Sequence, residues 1–288
     1  MEHRTMIAER PLSQASEAPT VVVEARGMIQ AALAADGVAI LPPMDVEDSL
    51  KLMATLSFQP KATIIDPWYN KGVGGVRDDY KSYILNLLSL SGNISAHVFF
   101  WGFPEIVARF IDDIPPPLEL IAWLTWYYKN NPSVIRGWRS SQNACLHLAQ
   151  PGAAIYPEHF LNEAQKGLQA QGKLRYMPGP TSVIEETLPC PPDVIEQALL
   201  VGFVGKKEQT GHPAQKPVGV FEKLFLMTTQ EGDLLFDPMS GSGTTGEAAL
   251  KMGRTAIISD QSEEYTQLAE KRLQLARIQL PEGVYTRF

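Results

Sequence analysis

The sequence predicts an α/β fold built on a parallel or mostly parallel sheet. Short apolar runs such as KATII (61–65), DLLF (233–236) and TAIIS (255–259) alternate with stretches of helical periodicity. Each of these runs is followed by an aspartate. Strands that alternate with helices of ordinary length are typical of βαβ units, whose strands lie parallel. The fold class follows from this alternation.

The first half of the chain contributes further elements of both kinds. Gly27 to Asp36 is predicted to form a short helix and residues 80–91 a longer one. PEIVARFIDDI (104–114) is a third predicted helix, closed by three prolines. The predicted strands of this half, besides KATII, are ISAHVFF (94–100), LELIAWLTWYY (118–128) and NACLHLA (143–149).

The middle of the chain, residues 150–211, is rich in Pro, Gly and Gln and has weak periodicity. Long segments of this kind are either functional or disordered. Patterned sequence resumes at Pro217, which suits the first turn of a helix. A further helix is predicted for Thr244 to Met252, and Ser262 can cap a last helix whose first turn is acidic.

The composition allows a full core and favours a reducing compartment. Of the 288 residues, 44% are hydrophobic, and no apolar run approaches the roughly 18 residues of a membrane helix. Residues 1–27 lack a signal-peptide pattern and are predicted to form a flexible tail. Cys145 and Cys190 give neither a metal-ligand spacing nor a disulfide framework. We therefore predict a cytoplasmic protein without a metal site and without a membrane partner.

Charge is unevenly distributed along the chain. The net charge is −7, which by itself disfavours a nucleic-acid partner. Residues 129–216, however, hold nine Lys or Arg against seven Asp or Glu, a net of +2, so the remainder carries −9. This asymmetry is mild, and scattered charges usually form a solvated face. The charge pattern alone therefore does not establish a nucleic-acid surface.

Residues 236–246, FDPMSGSGTTG, contain the Gly-x-Gly-x-x-Gly spacing of a dinucleotide-binding turn. In a dinucleotide fold the strand runs almost directly into the first glycine, so that backbone amides meet a pyrophosphate. Here four residues separate the strand from Gly241, namely Asp237, Pro238, Met239 and Ser240. A carboxylate at the end of the strand repels a pyrophosphate but suits an ammonium or a hydroxyl. A nicotinamide oxidoreductase therefore remains only a remote alternative.

Two other short motifs carry chemical information. In DPWYN (66–70) a carboxylate at the end of a strand is followed by a rigid proline and two aromatic residues. This combination suits a flat ring bearing an amino group, because Asp66 and the Pro67 carbonyl can accept its two N–H bonds while Tyr69 stacks on the ring. HPAQKP (212–217) lies just before a predicted helix and, taken alone, is equally consistent with an ordinary loop.

In this order, DPWYN, HPAQKP and FDPMSGSGTT resemble the amino-methyltransferases that modify exocyclic nitrogens of DNA bases. They are similar to that family's DPPY, HPTQKP and DPFxGSGTT motifs, and a catalytic motif that precedes the cofactor motif resembles the permuted β subgroup. The resemblance covers roughly residues 37–278. It implies a doubly wound, mostly parallel seven-stranded sheet, S-adenosylmethionine as cofactor and DNA as partner. It also raises the expectation of a homodimer, since relatives often dimerise.

The resemblance also assigns roles to individual residues. A catalytic role is implied for Asp66, Pro67, Trp68 and Tyr69. Cofactor binding is implied for the loop residues Asp237, Pro238, Met239, Ser240, Gly241, Ser242, Gly243 and Thr244. Asp260 matches the acid that binds the ribose hydroxyls, with His212 and Lys216 close by. Residues 28–149 then form the catalytic half, 212–288 the cofactor half, and 150–211 an insert for target recognition.

Several positions depart from the family pattern and bear on specificity. Trp68 stands where a second proline is usual, Met239 where phenylalanine is usual and Ala214 where threonine is usual. The strand SSQNACLHLA lacks the His-Glu pair that many relatives carry before the corresponding apolar run. These changes leave the reaction class intact but affect the shape of the base pocket.

The leading hypothesis is a site-specific adenine-N6 DNA methyltransferase that flips its target base. Cytosine-N4 is the alternative because both reactions share this geometry, and an Asp that opens the catalytic motif favours adenine. A non-catalytic DNA-binding subunit is disfavoured by the intact Asp66 and Tyr69. RNA or a protein glutamine is a less suitable acceptor, since the related glutamine enzymes carry Asn-Pro-Pro-Tyr after the cofactor motif.

Overall fold

The computed structural model describes residues 14–70, 75–128, 134–135, 137–139, 141–184 and 208–287. The helices in these ranges are α1 (Gln14–Asp36), α2 (Val46–Thr55), α3 (Tyr80–Ile94), α4 (Pro104–Val107), α5 (Glu163–Ala170), α6 (Val218–Thr228), α7 (Thr244–Lys251) and α8 (Glu263–Leu273). The strands are β1 (Val38–Ile40), β2 (Ala62–Ile65), β3 (His97–Gly102), β4 (Glu119–Tyr127), β5 (Val134–Ile135), β6 (Trp138–Arg139), β7 (Gln142–Ala149), β8 (Val183–Ile184), β9 (Leu234–Asp237) and β10 (Thr255–Ile258). Short 3₁₀ helices cover Ala108–Asp113, Pro157–Phe160 and Glu282–Arg287.

One mixed sheet organises the molecule, in the order β1-β10-β9-β2-β3-β7-β4-β8. The neighbours from β1 to β3 all pair parallel. β7 runs antiparallel to both β3 and β4, and β8 pairs parallel with β4. β5 and β6 form a separate two-stranded hairpin between β4 and β7. The sheet is therefore mostly parallel, as the sequence predicts.

Helices cover both faces of the sheet, which makes the fold doubly wound. Successive residues of β3 show this, because side chains along a strand point alternately to opposite faces. Phe100 lies in a core cluster with Leu87 of α3. Phe99 and Trp101 lie in a second cluster with Phe225 of α6. A strand buried on both faces has a continuous apolar sequence, which explains the unbroken HVFFW of this strand.

The chain changes direction across the sheet between β2 and β9. From β2 it continues to β3 on one side, whereas from β9 it continues to β10 on the other. Loops that leave the carboxyl ends of these two neighbours diverge, and ligand sites of open α/β sheets form in the resulting crevice. Asp66 follows β2, Asp237 ends β9 and Asp260 follows β10. All three sequence-predicted aspartates therefore lie at the same edge of the sheet.

Three expectations from the sequence need correction. The predicted tail of residues 1–27 is too long, because α1 begins at Gln14 and buries Ala25 and Ile29; residues 1–13 lie outside the described ranges. Seven strands were expected, but the sheet has eight, since the insert contributes β8 as an additional edge strand. The helix predicted for 104–114 is split into α4 and a 3₁₀ helix.

The strands of the two predicted halves interleave in one sheet. β9 and β10 of the cofactor half lie between β1 and β2 of the catalytic half. The insert contains a 3₁₀ turn, the capped helix α5 and β8, while residues 185–207, and Cys190 with them, lie outside the described ranges. No helix in the part of the chain that the structure describes has the length and apolar character needed to cross a membrane.

Candidate active site

The three sequence motifs meet at a narrow cleft beside the carboxyl ends of β2 and β9. These strands pair directly, so the residues that follow them are brought together across more than 160 positions of sequence. The segment 212–217, which leads into α6, contributes to the same cleft. The cleft is lined by Asp66, His212, Ala214, Gln215, Lys216, Phe221, Asp237, Met239, Ser240, Gly241, Ser242 and Thr244.

An ion pair between Lys216 and Asp66 lies in this cleft. The ammonium of Lys216 donates to Asp66 Oδ2, and 3% of the lysine side chain is exposed against 20% of the aspartate side chain. The ring of Trp101 lies 5.0 Å from Lys216 Nζ, a cation–π distance. Burial alone would lower the pKa of Lys216, but the Asp66 carboxylate raises it above its ordinary value. The lysine is therefore a charged donor to the predicted catalytic carboxylate.

Tyr69 is held by an aromatic contact and a hydrogen bond. Its ring lies 4.3 Å, centroid to centroid, from that of Phe103. Its hydroxyl accepts a hydrogen bond of 3.0 Å from Asn143 Nδ2 at the start of β7. Burial raises the pKa of Tyr69, partly opposed by the charge of Lys216, so the hydroxyl stays protonated at neutral pH. The ring is thus a neutral, pre-oriented surface next to Asp66.

Trp68 does not line the cleft. Its ring packs edge-on to Tyr80, with centroids 5.5 Å apart, and tilted against Tyr83 at 5.9 Å. Its indole nitrogen donates to the Gly75 carbonyl at 3.2 Å, and the Tyr80 hydroxyl donates to the Trp68 carbonyl at 2.8 Å. The ring of Trp68 therefore lies outside the cleft, and the catalytic role that the resemblance implied for this residue stays a prediction. The ring anchors the motif to α3 instead, because replacing proline by tryptophan adds a large apolar surface that must be packed.

A second and larger cavity, of about 400 Å³, opens on the side of Tyr69. Its walls come from the segment after the catalytic motif, the start of α3 and the α4 region. They carry both charge signs and two further aromatic rings. The lining residues are Tyr69, Asn70, Arg77, Asp78, Tyr80, Lys81, Glu105, Ile106, Arg109 and Phe110.

Asp237 is hydrogen-bonded to residues at both ends of the glycine-rich loop. Its Oδ1 accepts the backbone N–H of Met239 at 3.0 Å and its Oδ2 accepts the Thr245 hydroxyl at 2.5 Å. Only 3% of the residue is exposed. Burial raises the pKa of Asp237 to about 7, although the bonds from Thr245 and Met239 act in the opposite direction. A cation near a buried carboxylate whose pKa is raised in this way stabilises the ionised form of that carboxylate.

Asp260 connects the loop to the neighbouring strand β10. Its Oδ2 accepts the N–H of Gly241 and its Oδ1 that of Ser262, each at 2.9 Å. Burial raises its pKa, partly offset by these backbone bonds. The Gly241 amide is therefore already engaged, which argues against its use for a pyrophosphate. Each carboxylate oxygen retains a second lone pair for a hydroxyl ligand.

His212 packs closely against the loop, and this contact explains why the first glycine of the motif, Gly241, has no side chain. Gly241 has φ +50°, and a Cβ placed there would lie 2.9 Å from His212 Nε2. The imidazole also meets the ring of Tyr265 edge-on, with centroids 4.3 Å apart. Burial lowers the pKa of His212, so the ring is neutral at physiological pH. Any side chain at Gly241 would displace this imidazole and strain the backbone.

Two residues of the site were not predicted from the sequence. Asn143, which is 5% exposed, holds Tyr69 and retains a buried Oδ1 without a partner. Arg272 donates from α8 to the hydroxyls of Ser242 (3.1 Å) and Thr244 (2.9 Å). Asn143 has a sequence signal, namely its position in the strand where relatives carry a His-Glu pair. Arg272 has none, because its role depends on α8 packing beside the loop.

Comparison with protein families covers the part of the site from Asn143 to Asp260, but not the DPWYN motif at 66–70. The model of a family described as DNA methylase, of the N6/N4 type, matches residues 107–271, more than half of the chain. The type II methyltransferase M2.DpnII of Streptococcus pneumoniae is 48% identical over 63 residues, which cover 22% of this chain and 24% of that protein. The chain thus matches about a quarter of the length of this curated relative.

Solved structures support the same assignment at the level of the fold. A crystal structure of an M1.HpyAVI–SAM complex superposes with a TM-score of 0.59 at 19% identity, covering 83% of this chain and 100% of that one. PvuII DNA methyltransferase, which is cytosine-N4-specific, superposes with a TM-score of 0.56 at 17% identity, covering 88% and 94%. With its motifs assembled at one strand edge, the chain belongs to the DNA methylase family of adenine-N6 and cytosine-N4 amino-methyltransferases.

Proposed function

We propose that the protein transfers a methyl group from S-adenosylmethionine to the exocyclic N6 of adenine in DNA. The observation that carries this proposal is the Asp66 carboxylate, which accepts an N–H bond from Lys216 at the rim of a buried cleft. A carboxylate placed to receive a nitrogen donor, next to a neutral aromatic ring, matches the needs of an amino group on a flat base. Family membership supports the reaction class.

The loop after β9 suits a cofactor that carries both a cation and hydroxyls. Asp237 would face an ammonium, because a positive charge nearby would stabilise the ionised form that burial disfavours. Asp260 would accept ribose hydroxyls with the lone pairs that Gly241 and Ser262 leave free. S-Adenosylmethionine, when bound, supplies an electrophilic methyl group. The two acidic side chains make a nicotinamide dinucleotide a poor alternative, because they would repel its pyrophosphate.

The residues of the catalytic motif would activate and orient the amine. The lone pair of an exocyclic amine is delocalised into the ring, which makes the nitrogen a weak nucleophile. Hydrogen bonds from its two N–H groups to Asp66 and to the Pro67 carbonyl would favour a pyramidal nitrogen and neutralise the charge that develops on it. Because Lys216 already occupies Asp66, its ammonium must yield when the amine arrives.

A base inside a duplex cannot reach Asp66, so the target must be flipped out of the stack. Tyr69 would stack on the flipped base, with Asn143 and Phe103 fixing its ring. The cavity of about 400 Å³ beside Tyr69 offers room for the displaced nucleotide. Its mixture of aromatic and cationic lining residues is compatible with a base and its phosphate.

Cytosine-N4 is the second candidate, because the same acceptor geometry serves both amines. The neighbour PvuII DNA methyltransferase is cytosine-N4-specific. An aspartate at the start of the catalytic motif favours adenine. The test is to sequence DNA from a host that expresses the protein and to detect N6-methyladenine and N4-methylcytosine in the same sample. An Asp66→Ala strain is the matched control, and absence of both modified bases from the wild-type strain would contradict the proposal.

A further inference from the structure

One arginine of α8 connects the segments around the cofactor cleft without lining the cleft itself. The guanidinium of Arg272 donates to the hydroxyls of Ser242 at 3.1 Å and Thr244 at 2.9 Å, both in the glycine-rich loop. It also donates to Glu247 of α7 at 2.6 Å and to Glu208 at 3.5 Å. Only 6% of the arginine side chain is exposed. A buried charge needs partners of this kind, and here they fix the guanidinium in one orientation.

The bond to Thr244 continues into the other segment that lines the cleft. The Thr244 hydroxyl accepts from Arg272 and donates to the backbone carbonyl of Lys216 at 3.2 Å. A second connection passes through Glu208, whose carboxylate accepts the N–H of Val218 at the start of α6 at 2.7 Å. Arg272 is therefore joined by two routes to the chain that leads from the 212–217 segment into α6.

This arrangement depends on the shape of the guanidinium. Arginine presents five N–H donors in fixed directions, whereas the ammonium of lysine is a point charge on a flexible stem. Nε of Arg272 donates to Glu247, Nη1 to the two hydroxyls and Nη2 to Glu208. Glu247 also pairs with Lys251 at 2.7 Å. Glu208 keeps its bond from the Val218 N–H. Removal of the guanidinium therefore leaves neither acid without a partner.

We infer that Arg272 is a positioning residue that holds the glycine-rich loop and the 212–217 segment in the arrangement that binds the cofactor. It acts through the hydroxyls of Ser242 and Thr244. This inference rests on the proposed function for the role of the cleft. The charge of Arg272 alone would act in the opposite direction, because S-adenosylmethionine is itself a net cation. Loss of the bonds should weaken cofactor binding, whereas loss of a repelling charge should strengthen it.

The experiment measures the affinity for S-adenosylmethionine by calorimetry in the full-length protein and its variants. The variants are Arg272→Met, Arg272→Lys and, as a matched control, Arg277→Gln. Arg277 also has two acidic partners, but these are Glu263 and Glu270 of α8. Methyl transfer at saturating cofactor is measured on DNA from the Asp66→Ala strain, which lacks the methyl groups that the active protein would add. Melting temperatures report on the fold.

We expect Arg272→Met to bind S-adenosylmethionine about 10-fold more weakly, in line with the loss of hydrogen bonds from a charged donor. Its rate at saturating cofactor should stay within a few-fold of wild type, because Asp66 and Tyr69 are unchanged. Arg272→Lys should lose affinity to a similar extent, since one ammonium cannot serve Glu247 and both hydroxyls together. Arg277→Gln should bind as wild type does.

A double-mutant cycle tests whether Arg272 acts through the two hydroxyls. Ser242→Ala combined with Thr244→Val removes both acceptors and should itself weaken cofactor binding. In that background Arg272→Met should cost little more, because the bonds through which it acts are already absent. If Arg272→Met lowers the melting temperature sharply, the same comparison is made with Arg272→Lys, which keeps the charge. Fully additive losses would contradict the inference.

The remaining outcomes separate this inference from the proposed function. Wild-type affinity in Arg272→Met would mean that the loop does not need the arginine. Tighter binding by Arg272→Met, or wild-type affinity in Arg272→Lys, would assign the effect to charge and not to bond geometry. Each of these results overturns the inference alone, as long as the wild-type protein binds the cofactor and methylates DNA. If the wild-type protein does neither, the proposed function fails and the role of Arg272 fails with it.

Discussion

Two neighbouring strands, β2 and β9, each lead into an aspartate at the candidate site, yet the two carboxylates have different surroundings. Asp237 is 3% exposed and both its oxygens bind groups of its own loop, Met239 and Thr245. The side chain of Asp66 is 20% exposed, and its bond goes to the ammonium of Lys216, 150 residues away in the chain. One carboxylate supports its own loop, whereas the other forms an ion pair with a side chain from a distant segment.

This difference separates two tasks that the motifs alone do not distinguish. A buried carboxylate with fixed internal bonds can shape a loop and favour a cation near it, but it cannot approach a substrate. A partly exposed carboxylate whose bond goes to another side chain, and not to its own loop, can accept a new donor. We therefore expect substitutions at β2 to reduce the rate of transfer and substitutions at β9 to reduce the affinity for the cofactor.

The largest effect is expected at Asp66. Asp66→Ala should reduce kcat by at least about 10²- to 10³-fold, because its acceptor role is needed mainly as charge develops on the nitrogen. Cofactor and DNA binding should stay near wild-type values. Single-turnover methylation together with calorimetric titration of S-adenosylmethionine measures both. Near-normal transfer by Asp66→Ala would reduce DPWYN to a structural turn.

Substitution of Lys216 tests whether its side chain positions Asp66 or binds the cofactor. Lys216→Met should lower kcat by about 10- to 100-fold, because Asp66 loses the charge-assisted bond that holds it, and such bonds contribute roughly 1.5–3 kcal/mol. Affinity for S-adenosylmethionine should change little. A large loss of cofactor affinity with normal kcat would instead restore the role beside the cofactor that the sequence motif implied. A rise in kcat/KM would mean that Lys216 only competes with the substrate.

Asp237 should show the opposite pattern. Asp237→Asn keeps the shape of the side chain but removes its charge, so we expect cofactor affinity to fall by about 10-fold, the equivalent of 1.4 kcal/mol, with little change in the rate at saturation. With a pKa of about 7, wild-type Asp237 is increasingly ionised as pH rises from 6 to 8. Wild-type affinity should therefore increase over that range, and the variant should lose this dependence. Identical pH profiles in calorimetry would contradict this assignment.

Substitutions at Tyr69 and Asn143 test the role of the tyrosine ring and of the hydrogen bond that holds it. Tyr69→Phe keeps the ring and should retain most activity, whereas Tyr69→Ala should lose about 1–3 kcal/mol of base stacking.

Tyr69→Phe also leaves the Asn143 amide without its partner, so it should destabilise the fold by about 1–3 kcal/mol. In the double variant with Asn143→Leu, much of that loss should be regained. Urea unfolding of the four proteins gives the coupling energy, and strict additivity would exclude the interaction.

The smallest effect concerns a histidine pair away from the cleft. His97 Nδ1 and His147 Nε2 are 3.1 Å apart, and burial lowers their pKa values to about 4 and about 3. In the unfolded chain these histidines bind protons below about pH 6.5. Between pH 6.5 and 4 the unfolded state therefore binds more protons than the folded state, and the contribution of the pair to the free energy of unfolding decreases as pH falls. The raised pKa of Asp237 contributes with the opposite sign.

The informative quantity is therefore the difference between wild type and His147→Phe. Replacing the histidine should reduce the acid-induced loss by up to about 1.4 kcal/mol per pH unit. Urea unfolding at pH 7, 6 and 5 measures both proteins. Parallel stability profiles would show that the pair is not the source of acid sensitivity.

Local patterns predicted much of the fold and the assembly of the site. Apolar runs followed by Asp66, Asp237 and Asp260 predicted three strands that each lead into an acid, because a strand and the acid after it are adjacent in the sequence, and the structure brings their carboxyl ends together. Ser262 was predicted as a helix cap, and it accepts the N–H of Tyr265 at 3.3 Å. These features depend on short-range chemistry, which a sequence displays directly.

Features that depend on distant packing were missed. The start of α1 was placed too late because its buried residues, Ala25 and Ile29, show a weak amphipathic pattern. The strand β8 has two residues and exists only through its pairing with β4. The positions of the Trp68 ring and of the Arg272 guanidinium depend on α3 and α8, respectively. Neither contact is visible until the chain is folded.

The interleaved order of the strands has a consequence for synthesis of the protein. β1 is made first, but it pairs with β10, whose residues follow more than 200 positions later. While the ribosome is still translating the middle of the chain, β2 and β3 can pair, but the crevice beside β2 lacks its second wall. The pairing of β1 must also wait, and such long-range contacts slow folding. Asp66 and Asp237 therefore come together only after the residues of β9 have been made, so a shorter nascent chain has no assembled candidate site.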